Sequence, residues 1–242
     1  MPSPSANRLP VQHPEYRYPQ SKNPYWEKLT GFADRVFSDN LTEAHRGHWR
    51  ERFAGQPGEL HVEIGCNAGH VILEWAARSP RNGYVGVDWK FKPIFWGIEK
   101  ALKRQIPNLL FFRAHAERLP YMFGEGEVDF LYLFFPDPWP RKKQWKNRFL
   151  TAKNLARIAP VVKPGGIFHI KTDHAGYFEW MLDALARCER ESGKLWEVAE
   201  QTRDLHAGNA SAQALQIPDV TLFERLFIKD GIAINSLKLR RL

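Results

Sequence analysis

Cysteine is nearly absent from this chain: Cys66 and Cys188 are the only two, and neither lies in a paired or metal-binding spacing. A disulfide framework and a structural zinc site are therefore not expected, and a reduced, cytoplasmic setting is. His45 and His48 are three residues apart but have no third ligand at suitable spacing, so no metal is expected there. No apolar run approaches the roughly 18 residues that a membrane-spanning helix requires, so no membrane partner is expected. The stretch from Met1 to Pro24 lacks the apolar core of a signal peptide. No internal repeat is visible. Acidic residues are in the minority, 27 against 35 Lys and Arg, leaving a formal charge of +8. That balance favours polyanionic partners and carries no information about fold.

What is present is ordinary for a soluble globular chain: 43% hydrophobic and 26% charged residues over a length able to bury a full core. Residues 1–24 are proline-rich with little to bury and read as a flexible leader, leaving 25–242 as one domain. Asn40 to Phe53 reads as a first helix capped by Asn40 or Thr42. From Leu60 the pattern becomes strand, turn, helix, repeated. Strands are expected at Leu60–Ile64, Tyr84–Val87, Leu109–Arg113, Val128–Phe135 and Gly166–Lys171, with helices to Arg78 and over Phe91–Ile106, Asn147–Ala159 and Gly176–Glu191. This alternation implies an α/β fold with a mainly parallel sheet covered on both faces. Thr221–Ile228 and Ile232–Leu239 read instead as an antiparallel hairpin about Lys229-Asp230-Gly231.

The stretch Leu133-Phe134-Phe135-Pro136-Asp137-Pro138-Trp139-Pro140-Arg141-Lys142-Lys143 organises the rest. An apolar strand ends there against two prolines, which donate no amide hydrogen and restrict the residue before them. Asp137 is held between them at a strand's C-terminal edge, where open α/β sheets bind ligands. Arg141, Lys142, Lys143, Lys146 and Arg148 follow, interleaved with Trp139 and Trp145. A carboxylate beside aromatics and cations fits a base attached to a polyanion, with the basic run and Trp145 as RNA contacts. A solvated surface is the structural alternative for such a run. Lys238, Arg240 and Arg241 form a second basic group that reads as ordinary surface.

A second constellation lies upstream. Glu63-Ile64-Gly65-Cys66-Asn67-Ala68-Gly69 closes the first strand and opens a helix. Glycines admit a ligand close to the backbone and the helix start offers unpaired amides. The spacing departs from G-x-G-x-x-G and so favours a smaller adenosyl ligand over a dinucleotide. Glu63 suits a cofactor with an ammonium group and a sulfonium centre; Asp88, ending the second strand, suits ribose hydroxyls; His115 follows the third strand, where an adenine edge lies. A buried cap acceptor for Glu63 and a helix cap for Asp88 are the structural alternatives.

With Glu63-Ile64-Gly65, Phe134-Phe135-Pro136-Asp137-Pro138-Trp139, Thr172-Asp173 and Thr221-Leu222-Phe223-Glu224 in this order, the chain resembles the bacterial tRNA (guanine-N7)-methyltransferases from about Gly55 onward. The resemblance implies a Rossmann-like class I fold with a seven-stranded sheet, S-adenosylmethionine as cofactor, and methylation of a guanine in the variable loop of tRNA. It places cofactor contacts on Glu63, Asp88, His115 and Asp137, with Gly65 and Gly69 in the loop, catalysis on Asp137, and substrate contacts on Arg141, Asp173, Thr221 and Glu224. Asn67, His115, Arg141 and Leu222 depart from the family's usual residues. They motivate an alternative, a catalytically impaired RNA-binding protein on the same fold. Asp173 has a helix-capping alternative, and Phe223 reads as core. A monomer or a homodimer is expected.

Overall fold

In the computed structural model, which describes residues 9–207 and 220–242, the expected alternation is realised as two units, Met1–Glu127 and Val128–Leu242. The first begins with α1 (Pro24–Thr30), where Asn23 accepts a hydrogen bond from the Tyr25 amide and Pro24 supplies the pre-set first position. A short strand β1 (Val36–Ser38) follows, then two 3-10 turns, Asp39–Glu43 and Trp49–Arg52. The single helix expected over 40–53 is thus not formed. Asn40 does not cap it either: its side chain accepts from the Tyr18 amide and donates to the Tyr16 carbonyl.

The remaining elements of this unit are β2 (Leu60–Ile64), α2 (His70–Arg78), β3 (Gly83–Asp88), α3 (Phe91–Lys103), β4 (Leu109–Arg113) and the one-turn α4 (Leu119–Met122). The strands lie parallel in the order β1-β4-β3-β2. Strands β2, β3 and β4 are buried along nearly their whole length, which is why they are legible as continuous apolar runs. Pairings such as Ile64 with Val87 and Asp88 with Arg113 align their C-terminal ends at one edge. Ile72, Leu73, Ile94, Ile98 and Phe111 fill the core beneath.

Residues expected to be a flexible leader are pinned over much of their described length. The fully buried Arg118 donates to the carbonyls of Val11 (3.0 Å) and His13 (2.7 Å), Tyr121 Oη donates to the Gln12 carbonyl, and the His115 amide donates to Tyr18 Oη. A buried guanidinium needs acceptors, and backbone carbonyls of an irregular segment supply them.

The second unit holds β5 (Val128–Phe134), α5 (Ala152–Ile158), β6 (Val162–Thr172), α6 (Ala175–Ser192), β7 (Trp196–Thr202), α7 (Leu222–Lys229) and β8 (Asn235–Arg241). Its strand order is β5-β6-β8-β7, with β5 and β6 parallel and the other pairs antiparallel. The described residues therefore contain eight strands, one more than the seven expected. An antiparallel ending is present, but not as the expected hairpin: β8 pairs with β6 and β7, and the segment expected as its first strand is the helix α7. Thr221 and Glu224 form a capping box there, which favours a helix over a strand. Lys238 and Arg240 pair with Glu200 and Glu197 on β7, so they are not a free basic patch.

His169 on β6 shares a hydrogen bond with Ser236 Oγ at 2.9 Å and packs beside the rings of Phe134 and Tyr132. Burial, reinforced by the Lys171 and Lys238 charges, pushes its pKa down to about 3. The unfolded chain takes up this proton near pH 6.5 and the folded chain does not, so the stability it contributes is complete above that pH and declines toward pH 3. Thermal melts between pH 4 and 7 should show this decline, and His169→Gln should flatten it. An unchanged slope in the variant would refute the assignment.

Candidate functional site

In the first unit the site residues gather at the aligned strand ends. Gly65 leaves β2 with φ +73°, and a Cβ there meets nothing within 4 Å, so the backbone is open to a ligand. Asn67 takes φ +51°, a left-handed conformation that asparagine tolerates better than most residues. The departure from the family's usual residue at this position therefore leaves the turn intact. Gly69 is required for packing: its φ is +71°, and a Cβ would stand 3.1 Å from Phe111 Cζ. It also starts α2 without a side-chain cap, leaving the helix's first amides available to an anion.

Asp88 closes this loop. One carboxylate oxygen accepts from the Asn67 amide at 3.1 Å and the other from the Lys90 amide at 2.8 Å. Burial raises its pKa, against the opposing pull of those two hydrogen bonds. The carboxylate is half-buried and keeps lone pairs for hydroxyl donors, so loop closure and ligand contact are compatible roles. Glu63 lies buried one residue before the end of β2. His115 is stacked between Tyr18 (5.6 Å between centroids) and the exposed Trp89 (5.9 Å). Burial holds its ring below the ordinary histidine pKa. Tyr18 and Trp89 are neighbours that sequence reading missed. Tyr18 in particular carries no local signal, since it lies 97 residues from His115. An open glycine, unpaired helix amides and a half-buried carboxylate at adjacent strand ends fit an adenosyl cofactor.

In the second unit Asp137 is exposed, and its carboxylate has no hydrogen-bond or ion-pair partner among the described residues. It is not a turn aspartate satisfying local amides. Phe135 (φ +51°) and Trp139 (φ +46°) flank it in the left-handed region, an uncommon conformation for bulky residues that is concentrated at functional sites. Beyond it the chain forms a 3-10 turn, Lys142–Asn147, in place of the start of the helix expected from Asn147. Arg141, Lys142, Lys143 and Lys146 are exposed and form no ion pair among the described residues, whereas Trp145 is half-buried and Arg148 is buried. Arg148 is accordingly removed from the RNA-facing set.

Asp173 follows β6, partly exposed; the cap of α6 is His174, whose Nδ1 accepts from the Tyr177 amide. Thr221 and Glu224 do not present their polar atoms to a substrate. Glu224 is 0% exposed and accepts from Lys171 Nζ (3.0 and 3.1 Å) and the Thr221 amide, and pairs with His206 Nε2 (2.7 Å), while Thr221 Oγ1 accepts from the Glu224 amide. Their role is to fasten α7 to β6. Phe223 is 54% exposed and is not core. Among the described residues no His, Cys, Asp and Glu group is arranged to hold a metal ion, and no helix is long and apolar enough to cross a membrane.

The fold matches those of solved methyltransferases: the 16S rRNA methyltransferase KamB (TM-score 0.58, 19% identity, 81% of this chain and 92% of that one) and an S-adenosylmethionine-dependent methyltransferase from Aquifex aeolicus (0.51, 13%, 77% and 84%). A family described as "Putative methyltransferase" matches residues 57–217. Fold and site thus define a methyltransferase with a Rossmann-like sheet. Among curated relatives, a tRNA (guanine-N(7)-)-methyltransferase of Bdellovibrio bacteriovorus is 32% identical over 87% of this chain and 97% of its own length. One from Enterococcus faecalis is 39% identical over 64% of this chain and 72% of its own. The chain belongs to the tRNA (guanine-N(7)-)-methyltransferase family.

Removing Lys171 leaves the buried Glu224 carboxylate with only His206 and the Thr221 amide as partners, so the cost is at most the roughly 3–5 kcal/mol of breaking a buried pair. Lys171→Met should lower the urea midpoint accordingly. A midpoint within experimental error of the parent would show that the carboxylate is not locked in this way.

Proposed function

We propose that the chain transfers the methyl group of S-adenosylmethionine to N7 of a guanine in the variable loop of tRNA. The observation that carries this reading is Asp137, exposed, unpartnered among the described residues and mounted between two left-handed aromatics just before four exposed cations. Membership of the family supports it, and the family match extends over residues of both units.

Guanine N7 carries a lone pair and no proton, so the reaction needs no strong base. S-adenosylmethionine supplies an electrophilic methyl group; the N7–carbon bond forms as the carbon–sulfur bond breaks, and sulfur leaves with the bonding pair. The protein's task is alignment and a preorganised electrostatic setting. Asp137 accepts hydrogen bonds from the guanine N1 and N2 donors, fixing the orientation of the purine ring. Glu63 and Asp88 serve the cofactor's ammonium group and ribose, with Gly65 and the α2 amides along its backbone-facing side. His115, held between Tyr18 and Trp89, forms the adenine wall. Asp173 orders the base or its neighbouring loop. Arg141, Lys142, Lys143 and Lys146 neutralise phosphates, and Trp145 lies among them.

Incubation with tRNA and labelled cofactor, followed by chemical cleavage at 7-methylguanosine, tests the product and its position directly. Asp137→Ala should reduce turnover by at least about 100-fold through loss of orientation, with the melting temperature unchanged; near-parental turnover would overturn the role. RNA binding should weaken with salt by a log–log slope of roughly 0.7–0.9 per neutralised phosphate. Alanine at Lys142 and Lys143 should reduce that slope, and a slope near zero in the parent would remove the cations from the interface.

A further inference from the structure

Arg148 belongs to the basic run by sequence but not by position: it is 4% exposed. Its guanidinium carbon lies 4.7 Å from the ring centre of Trp145, 4.9 Å from Tyr177 and 4.8 Å from Trp180. The cage is fastened in turn, because Trp180 Nε1 donates to the Leu150 carbonyl at 3.0 Å and the Leu150 amide reaches Tyr177 Oη at 3.4 Å. A cation surrounded by three ring faces is attracted to all of them, and a planar guanidinium suits such stacking better than an ammonium. Its Nε–H donates to one acceptor of consequence, the Pro138 carbonyl, at 2.8 Å.

That carbonyl belongs to the peptide plane joining Pro138 to Trp139, the second of the left-handed residues about Asp137. The other side of the loop is pinned where the Phe135 amide donates to the Lys171 carbonyl at 2.8 Å. Pro136 and Pro138 have no amide hydrogen with which to secure the loop themselves. Two tertiary hydrogen bonds, one on each side, thus hold the backbone that carries Asp137. We propose that Arg148 is a positioning residue for the methyl-transfer step: held in the Trp145–Tyr177–Trp180 cage, it pins the Pro138 carbonyl and thereby aims the Asp137 carboxylate, without touching RNA. The inference rests on the role assigned to Asp137 above.

The test compares the full-length parent with Arg148→Met, which fills the cage but cannot donate, and Arg148→Lys. Amide hydrogen exchange should speed up at least tenfold in peptides covering residues 135–142 of Arg148→Met and stay unchanged in peptides of the first unit. For tRNA methylation, kcat should fall at least tenfold, while KM for tRNA and the salt slope of binding stay within twofold of the parent. Arg148→Lys should recover only part of kcat. A lost salt-slope increment of roughly 0.7–0.9 with kcat retained would make Arg148 a phosphate contact and overturn the proposal. Unchanged exchange over residues 135–142 would overturn it equally. Should Arg148→Met not fold, Trp180→Leu opens one wall of the cage with Arg148 kept, and the same rise in local exchange is expected. The exchange measurement is independent of turnover, so a parent inactive on tRNA would defeat the functional reading while leaving the pinning of the loop decided by its own result.

Discussion

A loop with a proline on each side of its central aspartate, Asp137, cannot hold itself. Neither Pro136 nor Pro138 has an amide hydrogen, and Phe135 and Trp139 occupy a backbone region that costs bulky residues about 1–3 kcal/mol each. Such a conformation persists only where the surroundings over-determine it, and the second unit is arranged to do so. Phe135 is held by its bond to the Lys171 carbonyl and by contact of its ring with Phe227 on α7. The side chain of the same Lys171 is locked to Glu224. The Thr221–Glu224 segment is thus connected to the Asp137 loop through one lysine, whose backbone and side chain act on different partners. A motif that resembles a substrate-binding element can matter to the site without touching substrate.

The strand ends of the first unit follow a different logic, in which side chains shape the backbone of the loop after β2. Asp88 spans from its own strand end to the Asn67 amide, so the turn after β2 and the end of β3 are tied by one carboxylate. Gly65 is open to a ligand, whereas Gly69 makes room for Phe111. Two glycines of one loop therefore serve unlike purposes, which their spacing does not reveal.

The buried parallel strands were legible because both faces are covered and the apolar runs are unbroken; Leu60–Ile64 and Leu109–Arg113 were placed to the residue. Strand β7 was missed because nearly all of it is exposed, so that Trp196-Glu-Val-Ala-Glu-Gln-Thr202 shows no apolar alternation. Residues 222–229 carry apolar residues that suit either period, and the capping-box spacing of Thr221 and Glu224 was the unused signal for a helix. The exposure of Asp137 and of the cations after it agrees with their local sequence. The burial of Arg148 was not legible there, since its charge says nothing about the rings around it. Tyr18, which stacks on His115, and the carbonyls that bind Arg118 lie about 100 residues away and leave no local trace.

The strap formed by Val11, Gln12 and His13 has a consequence for how the first unit is made. Its anchors, Arg118 and Tyr121, lie 105 to 109 residues downstream. Closing so long a loop is entropically expensive and is rewarded only after β4 and the turn beyond it exist. During synthesis this segment leaves the ribosome before its anchors and can dock only after they have followed it. Until then, Glu43 holds one side of the Arg118 guanidinium and the Nη1 that the strap will take is left to water.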